Sequence, residues 1–407
     1  MKALPEGWRQ AAIGELLDSL AGGVSLVGED RERTLGEPGV LTLTAVSNGR
    51  FQPQCHKAVT AGKRNLLGRC VSANTILISR SNTEELVGAC VYVERDYPDL
   101  HLPDLLWEMR SSSCDLRWLY QYLASPMGRV ELASRAVGTS ASMKKLSMQS
   151  LRSIPVPLPS LPEQQAIAAS LSSWDQTILR MNDLVAAKRR LKNGLMQKLL
   201  SGEQRFGSAD PKFQQVSIGE IVEKLSTAVD VDASTQYREI GIRSHGKGIF
   251  HKEPVFGSVL GDKRVFKVEP GCLTVNIVFA WEQAVAVTTD DEVGFIVSHR
   301  FPMFKPDKTR AESTFLLHYF LSPKGSEALQ LASPGGAGRN RTMSQSAFLK
   351  LKIPLPCIRF QQQFVSLVEN LDSEISLLSE QLTALKTQKK GLMRKLLTGE
   401  VRVKVPS

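Results

Sequence analysis

Apolar residues recur along two stretches of this chain at alternating steps of four and three. The first series is Ile167, Leu171, Trp174, Ile178, Met181 and Val185, with Leu195 and Leu199 further on. The second is Phe364, Val368, Leu371, Ile375, Leu378, Leu382 and Leu385, with Leu392 and Leu396. Such steps define a heptad seam, along which one helix packs on another. Adding 197 to each position of the first series gives the second, with no gap, and the second adds Leu385 where the first has Lys188. The match extends to the flanks: Pro157-Leu158-Pro159 and Gln164-Gln165 before the first seam answer Pro354-Leu355-Pro356 and Gln361-Gln362 before the second. Ser160 and Glu163 have the spacing of a capping box, Pro162 suits a first helical turn, and Gly202 and Gly399 are placed to end the helices. Two helices of equal length are therefore expected, each about 55–60 Å at about 1.5 Å per residue. Lys188, Lys192 and Lys389 interrupt the seams near the helix ends.

The order of the segments fixes the topology of the pair. The first helix carries the chain from an N-terminal region to a middle region, and the second starts where that middle region ends. If the seams pack together, the helices run antiparallel. The plainer alternative is two separate amphipathic helices, each packed in its own domain; matched length and phase favour mutual packing. The expected organisation is a globular region over 1–155, a spacer helix over 156–205, a second globular region over 206–352 and a second spacer helix over 353–407. The fold class expected is α+β: two mixed globular regions and two long antiparallel coiled-coil helices, related by a pseudo-twofold internal duplication.

Within the globular regions the pattern shortens to strand-like runs at Val40–Val46, Thr75–Ser79 and Ala89–Val93, with a helical stretch over Arg117–Leu132. The second region repeats the plan. Phe213 and Ile218-Gly219-Glu220-Ile221 answer Trp8 and Ile13-Gly14-Glu15-Leu16, and Thr274–Ile277 begins another strand-like run. Tyr319, Ser322, Pro323 and Gly325 answer Tyr122, Ser125, Pro126 and Gly128 at the offset of 197. The repeat is strong in the helices and weak in the regions between them, so the scaffold is shared and the recognised partners differ.

The 407 residues carry a formal net charge of +10, which favours an anionic partner, nucleic acid or an acidic membrane surface. No apolar run approaches the about 20 residues of a membrane-spanning helix. The opening Met1-Lys2-Ala3-Leu4-Pro5-Glu6-Gly7-Trp8 lacks the features of a secretion signal, and a cytoplasmic protein is expected. Cys55, Cys70, Cys90, Cys114, Cys272 and Cys357 are widely spaced and read as reduced, mostly buried thiols. The histidines show no metal-ligand spacing. No Pro-Pro methyltransferase loop occurs, and no G-x-G-x-x-G follows a strand. Gly241-Ile242-Arg243-Ser244-His245-Gly246-Lys247-Gly248 approaches a phosphate-binding loop, but Gly248 stands where the magnesium-ligating hydroxyl is needed. Neither catalytic residue, metal nor cofactor is assigned, and a binding protein is favoured over an enzyme.

For DNA contact the candidates are polar basic loops, since Arg and Asn can read base edges while Lys mainly neutralises phosphate. In the first region these are Lys63, Arg64, Arg80, Asn82, Lys144 and Lys145. In the second they are Arg243, His245, Lys247, Lys263, Arg264, Arg339, Asn340 and Arg341. Any one of them also fits a solvated surface charge. A coiled-coil adaptor that never reads DNA is the competing class; a neutral or acidic chain with a longer rod would suit it better.

The paired I/V-P-L/V-P segments, the Gln-Gln that follows, and the ends Gly194-Leu195-Met196…Leu199-Leu200-Ser201-Gly202 and Gly391-Leu392-Met393…Leu396-Leu397-Thr398-Gly399 form a recognisable set. With Pro5-Glu6-Gly7-Trp8 they closely resemble the specificity subunit of type I restriction–modification systems, over the whole chain. Ile358-Arg359-Phe360 departs from the family's Leu-x-Glu at the second helix start. The resemblance implies a non-catalytic subunit whose two target-recognition domains each read half of a bipartite sequence in double-stranded DNA. Its spacer helices would set the unread gap. Its partners would be two adenine-methyltransferase subunits, which bind S-adenosylmethionine, and ATP-dependent restriction subunits, with no membrane.

Overall fold

A computed structural model describes residues 4–140, 143–207, 212–261, 263–335 and 341–404, apart from the side chains of residues 61, 139 and 140. It is a mixed α/β chain in two compact units. One comprises Met1–Asp183 with Ser379–Ser407, the other Leu184–Leu378. The long helices are Leu161–Ser201 and Ile358–Leu397, as the heptad pattern predicts, and each contributes a segment to both units.

In the first unit, strand Arg9–Ala12 pairs antiparallel with Pro155–Leu158, the segment that leads into the first long helix. A four-stranded antiparallel sheet follows, with Ser19–Gly22, Leu106–Arg110, Thr75–Ser79 and Cys90–Val93 side by side. The second unit repeats both features. Gln214–Ser217 pairs with Lys352–Leu355, and Val222–Leu225, Met303–Pro306, Leu273–Val275 and Val285–Val287 lie in the same order. The central strands Thr75–Ser79 and Leu273–Val275 are buried along their whole length, so they read as continuous apolar runs.

The sequence reading needs two corrections here. Val40–Val46 is not one strand: Gly39–Leu41 is extended, and Thr44–Ser47 forms a helical turn. Arg117–Leu132 is not one helix: Leu116–Ala124 and Pro126–Ser134 meet at Ser125. Pro126 disfavours helical backbone at Ser125, whose hydroxyl instead caps the next helix by accepting from Gly128 N at 3.1 Å. The same break recurs at Ser322, which accepts from Gly325 N at 3.2 Å. Glycine is required at both places, because a Cβ would lie 2.2 Å from the Tyr122 carbonyl oxygen in one and 2.0 Å from that of Tyr319 in the other.

Each unit packs the start of one long helix beside the end of the other. Ile167, Ala168 and Leu171 share the first core with Met393, Leu396 and Leu397; Phe360, Phe364 and Val368 share the second with Leu199 and Leu200. The segments are therefore antiparallel within each unit. The seam lysines find acids on the facing helix: Lys389 reaches Asp175 at 2.5 Å, Lys192 reaches Asp372 at 2.5 Å and Lys188 reaches Glu374 at 2.7 Å. Buried seam positions include Ile167, Leu171, Val185, Phe364, Val368, Leu371 and Ile375. Trp174 and Ile178 are only half-buried. Burial was expected of Trp174, matched to Leu371. It lies beyond the helix face covered by the first core, where a lone partner helix shields a large indole from one side only.

The Gln-Gln motif is a lock between each helix start and its globular region. Gln164 Oε1 accepts from Asp115 N at 2.8 Å, and its Nε2 donates to the Pro159 carbonyl at 2.9 Å. At the offset of 197, Gln361 accepts from Glu312 N at 2.9 Å and donates to the carbonyls of Pro356 at 2.8 Å and Arg310 at 2.9 Å. The neighbouring position differs between copies. Glu163, 2% exposed, accepts from Trp8 Nε1 at 2.9 Å and from Arg402 Nε at 2.5 Å. Its counterpart Phe360 packs edge-on against Phe213 and Phe206, with ring centroids 5.3 and 5.0 Å away. A buried carboxylate needs charged and hydrogen-bonding partners, whereas an aromatic trio needs none.

Candidate nucleic-acid interface

Beyond the end of each central strand, the chain meets a hairpin that precedes the long helix. In the first unit, Ser81–Asn82 pairs with Met143–Lys145, which pairs in turn with Val137–Ser140. Lys144 lies opposite Asn82 and Lys145 opposite Ser81, while Leu146 N donates to the Arg80 carbonyl at 2.8 Å. Four of the six candidates here, Arg80, Asn82, Lys144 and Lys145, thus gather on one small sheet. Lys144 Nζ donates to the Gly138 carbonyl at 3.0 Å, and Asn82 Oδ1 accepts from Thr83 N at 2.9 Å. Lys63 and Arg64 are exposed on a separate 3-10 turn, Ala61–Leu66, where Lys63 Nζ donates to the Val27 carbonyl at 3.1 Å.

In the second unit the described residues at the matching place are fewer. Gly335 bridges Arg341, and Met343 N donates to the Ile277 carbonyl at 2.7 Å, the counterpart of Leu146 and Arg80 at the offset of 197. Arg339 and Asn340 lie outside the described residues. The Arg341 guanidinium sits 5.6 Å from the centroid of the Trp281 ring, whose Nε1 donates to the Val278 carbonyl at 3.2 Å. A cation over an indole face gains about 0.5–2 kcal/mol, and the contact restricts the long arginine side chain.

Arg243, His245 and Lys247 belong to the turn between strands Ile240–Ile242 and Ile249–His251. His245 at φ 60°, Gly246 at 64° and Gly248 at 76° give this turn its left-handed path. The amides of His245 and Gly246 donate to the carbonyls of Glu282 and Gln283 at 2.7 and 3.1 Å. They cannot also cradle a phosphate, so the glycines here serve the turn. The three residues help line an open cavity of about 530 Å³, together with Phe250, Lys252, Asn276, Phe279 and Phe301. The Arg243 guanidinium lies 5.0 Å from the centroid of the Phe250 ring.

Lys263 has a different environment. It forms an ion pair with Glu239, which Lys252 also reaches at 3.2 Å. Burial raises the Glu239 carboxyl, but the bond from Lys263 and the charges of both lysines outweigh it and hold the group below the usual carboxylate range. Arg264 beside it is exposed. The cysteines are all free; Cys90, Cys114 and Cys272 are buried, Cys55 is half-buried, and Cys70 and Cys357 are exposed.

The charge-based reading missed Phe250, Asn276, Phe279, Trp281 and Phe301. Phe279-Ala280-Trp281 directly after an apolar run was the available signal, since aromatics interleaved with cations suit nucleic acid. It also missed Asp175 and Asp372, which answer the seam lysines. No described helix is long and apolar enough to cross a membrane.

Residues 5–186 match the family profile described as type I restriction modification DNA specificity domain. The chain is 22% identical to a Methanocaldococcus jannaschii protein named as the specificity subunit of the type I restriction enzyme MjaX, over 98% of this chain and 95% of that one. It is 24% identical to the MjaVIII specificity subunit of the same organism, over 70% and 71%. In fold it is similar to the crystal structure of the type I restriction–modification S subunit from M. genitalium, with a TM-score of 0.55, 16% identity and coverage of 98% and 97%. Residues 5–186 thus match the type I restriction modification DNA specificity domain, and over its whole length the chain is similar in sequence to proteins named as type I specificity subunits and in fold to a solved S subunit.

Proposed function

We propose that the chain is the DNA-reading, non-catalytic subunit of a type I restriction–modification complex. Each globular region reads one half of a bipartite target in double-stranded DNA. The two long helices set the unread gap and dock two methyltransferase subunits, and restriction subunits join that assembly. The supporting observation is the hairpin beside each central strand: Arg80, Asn82, Lys144 and Lys145 in one region answer Arg341 and Trp281 in the other. The scaffold at this place repeats at a fixed offset while the side chains it presents differ, as two readers of different half-sites require. Arg341, its guanidinium 5.6 Å from the centroid of the Trp281 ring, carries the planar donor pair that matches a guanine edge.

Methylation mapping of host DNA with and without the gene tests this reading. The expected result is loss of one bipartite adenine-methylated motif. An identical methylome in both strains, with the methyltransferase genes intact, refutes it.

A further inference from the structure

The cavity of about 530 Å³ in the second unit has a chemistry more specific than a basic surface. Asn276 lines it and is 7% exposed. Its Oδ1 accepts from Val278 N at 3.1 Å, which fixes the orientation of the amide. Among the described residues, Nδ2 donates to no protein acceptor. This amide N–H lies outside the set of buried unpartnered polar atoms, so water can reach it and a ligand acceptor can take that water's place. Phe250, Phe279 and Phe301 supply apolar ring surface around it, and Phe279 remains 37% exposed. Arg243 and Lys247 stand at the same cavity, and neither forms an ion pair among the described residues.

We propose that this cavity receives a single unstacked nucleotide, with its base among the three phenylalanines and its phosphate towards Arg243 and Lys247. Asn276 Nδ2 donates to an acceptor on the base edge. The volume lies in the range of about 300–1,000 Å³ typical of small-molecule sites. Extruding a nucleotide costs a few kcal/mol, and stacking on an aromatic ring returns about 1–3 kcal/mol. The same chemistry suits two sources, an everted nucleotide of bound DNA or a free mononucleotide. The first of these rests on the DNA reading proposed above.

Photocrosslinking separates the sources, because 5-iodouracil couples to aromatic side chains stacked on it. In the complex assembled with methyltransferase, 5-iodouridine is placed in turn at each position of the methylated target. The expected result is a crosslink from one position of one half-site to Phe279 or Phe301, mapped by mass spectrometry. Asn276→Ala should reduce its yield at least tenfold, and so should Phe279→Ala, a partly exposed position that tests the site without disturbing the buried amide. In a parallel arm, 5-iodouridine monophosphate is offered without DNA. Coupling to the same residues from the free nucleotide alone assigns the site to that source and also supports the proposal. Absence of coupling in both arms overturns it. If sequence-specific DNA binding persists in that case, the DNA-reading role stands without the cavity. If DNA binding is lacking altogether, that role falls and the mononucleotide arm alone decides.

Discussion

Replacing Gln361 by leucine tests the lock at the start of the second long helix. The side chain is 0% exposed and makes three hydrogen bonds to backbone groups: from Glu312 N, and to the carbonyls of Pro356 and Arg310. Leucine has similar bulk and removes all three. Arg310 is exposed, so its carbonyl turns to water. The Glu312 amide and the carbonyl of buried Pro356 lose their partners, and an orphaned buried group costs about 1–3 kcal/mol. The expected loss for the two groups is therefore about 2–6 kcal/mol. At about 1.4 kcal/mol per factor of ten, amide exchange at Glu312 should speed up by about thirtyfold or more if it proceeds through unfolding of this unit. Gln361→Glu keeps the acceptor for Glu312 N but loses both donations, so it should fall between wild type and leucine. Hydrogen-exchange mass spectrometry of the peptides around residues 310–318, with urea denaturation alongside, measures both effects. Unchanged exchange and an unchanged midpoint in Gln361→Leu would refute the view that this amide holds the helix to its globular region.

Inserting one heptad after Met181 and one after Leu378 keeps the seam in phase and lengthens each helix by about 10 Å. Methylation mapping should then show the same half-sites with a gap longer by about three base pairs, at roughly 3.4 Å per step; an unchanged gap sinks the ruler. Arg341→Ala should relax discrimination in one half-site only, at a cost of about 1–3 kcal/mol. Lys144→Ala with Lys145→Ala should instead weaken all sequences alike and flatten the salt slope; competition binding of the assembled complex separates the patterns. Leu371→Ala should cost about 2–5 kcal/mol in thermal or urea unfolding, and Trp174→Ala, at a half-buried position, less. Burial, together with the charge of Lys192, lowers His318 from 6.5 to about 4. Its neutral form belongs to the fold, so stability is fully present above about pH 6.5 and is lost as the pH falls towards 4, by up to about 3 kcal/mol. His318→Gln, the residue at the matching position Gln121, should flatten that acid limb in urea titrations at stepped pH.

The helices were legible because a heptad seam is periodic, and a period can be read without knowing the partner. The repeat marked the segments that enter each helix, but their pairing with Arg9–Ala12 and Gln214–Ser217 follows only from the fold. The polar locks were less so. Lys192 and Lys389 looked like interruptions because their acids, Asp372 and Asp175, lie far off in sequence and become neighbours only when the helices pair. Gln164 and Gln361 were visible as a motif, but their partners at Asp115 and Glu312 follow from tertiary packing alone. Glu163 was expected to serve a helix cap and instead holds Trp8 and Arg402. In the candidate interface, counting charge found Arg243, His245 and Lys247 but could not tell them from Lys263, which neutralises the buried Glu239. The aromatic walls escaped for a similar reason, since a phenylalanine reads as core until its exposure is known.

What the duplication kept and what it changed follow one physical rule. Gln121, Asp175 and Lys389 in the first unit stand at the positions of His318, Asp372 and Lys192 in the second, and in both the lysine reaches across the helix pair to the aspartate. A half-buried ion pair of this kind cannot change one member without stranding the other, so the arrangement persists as a set. The Glu163 position shows another outcome, in which the acid and its indole partner both change: Trp8 and Glu163 in one copy answer Phe213 and Phe360 in the other, which pack with Phe206, while the arginine is kept as Arg402 and Arg205. The hairpins carry no such constraint. Among the described residues the Lys144 side chain bonds only to a backbone carbonyl, and Arg341 lies over an indole whose counterpart the first copy does not need. Residues there can change one at a time, which is the freedom a reading surface requires and a helix scaffold lacks.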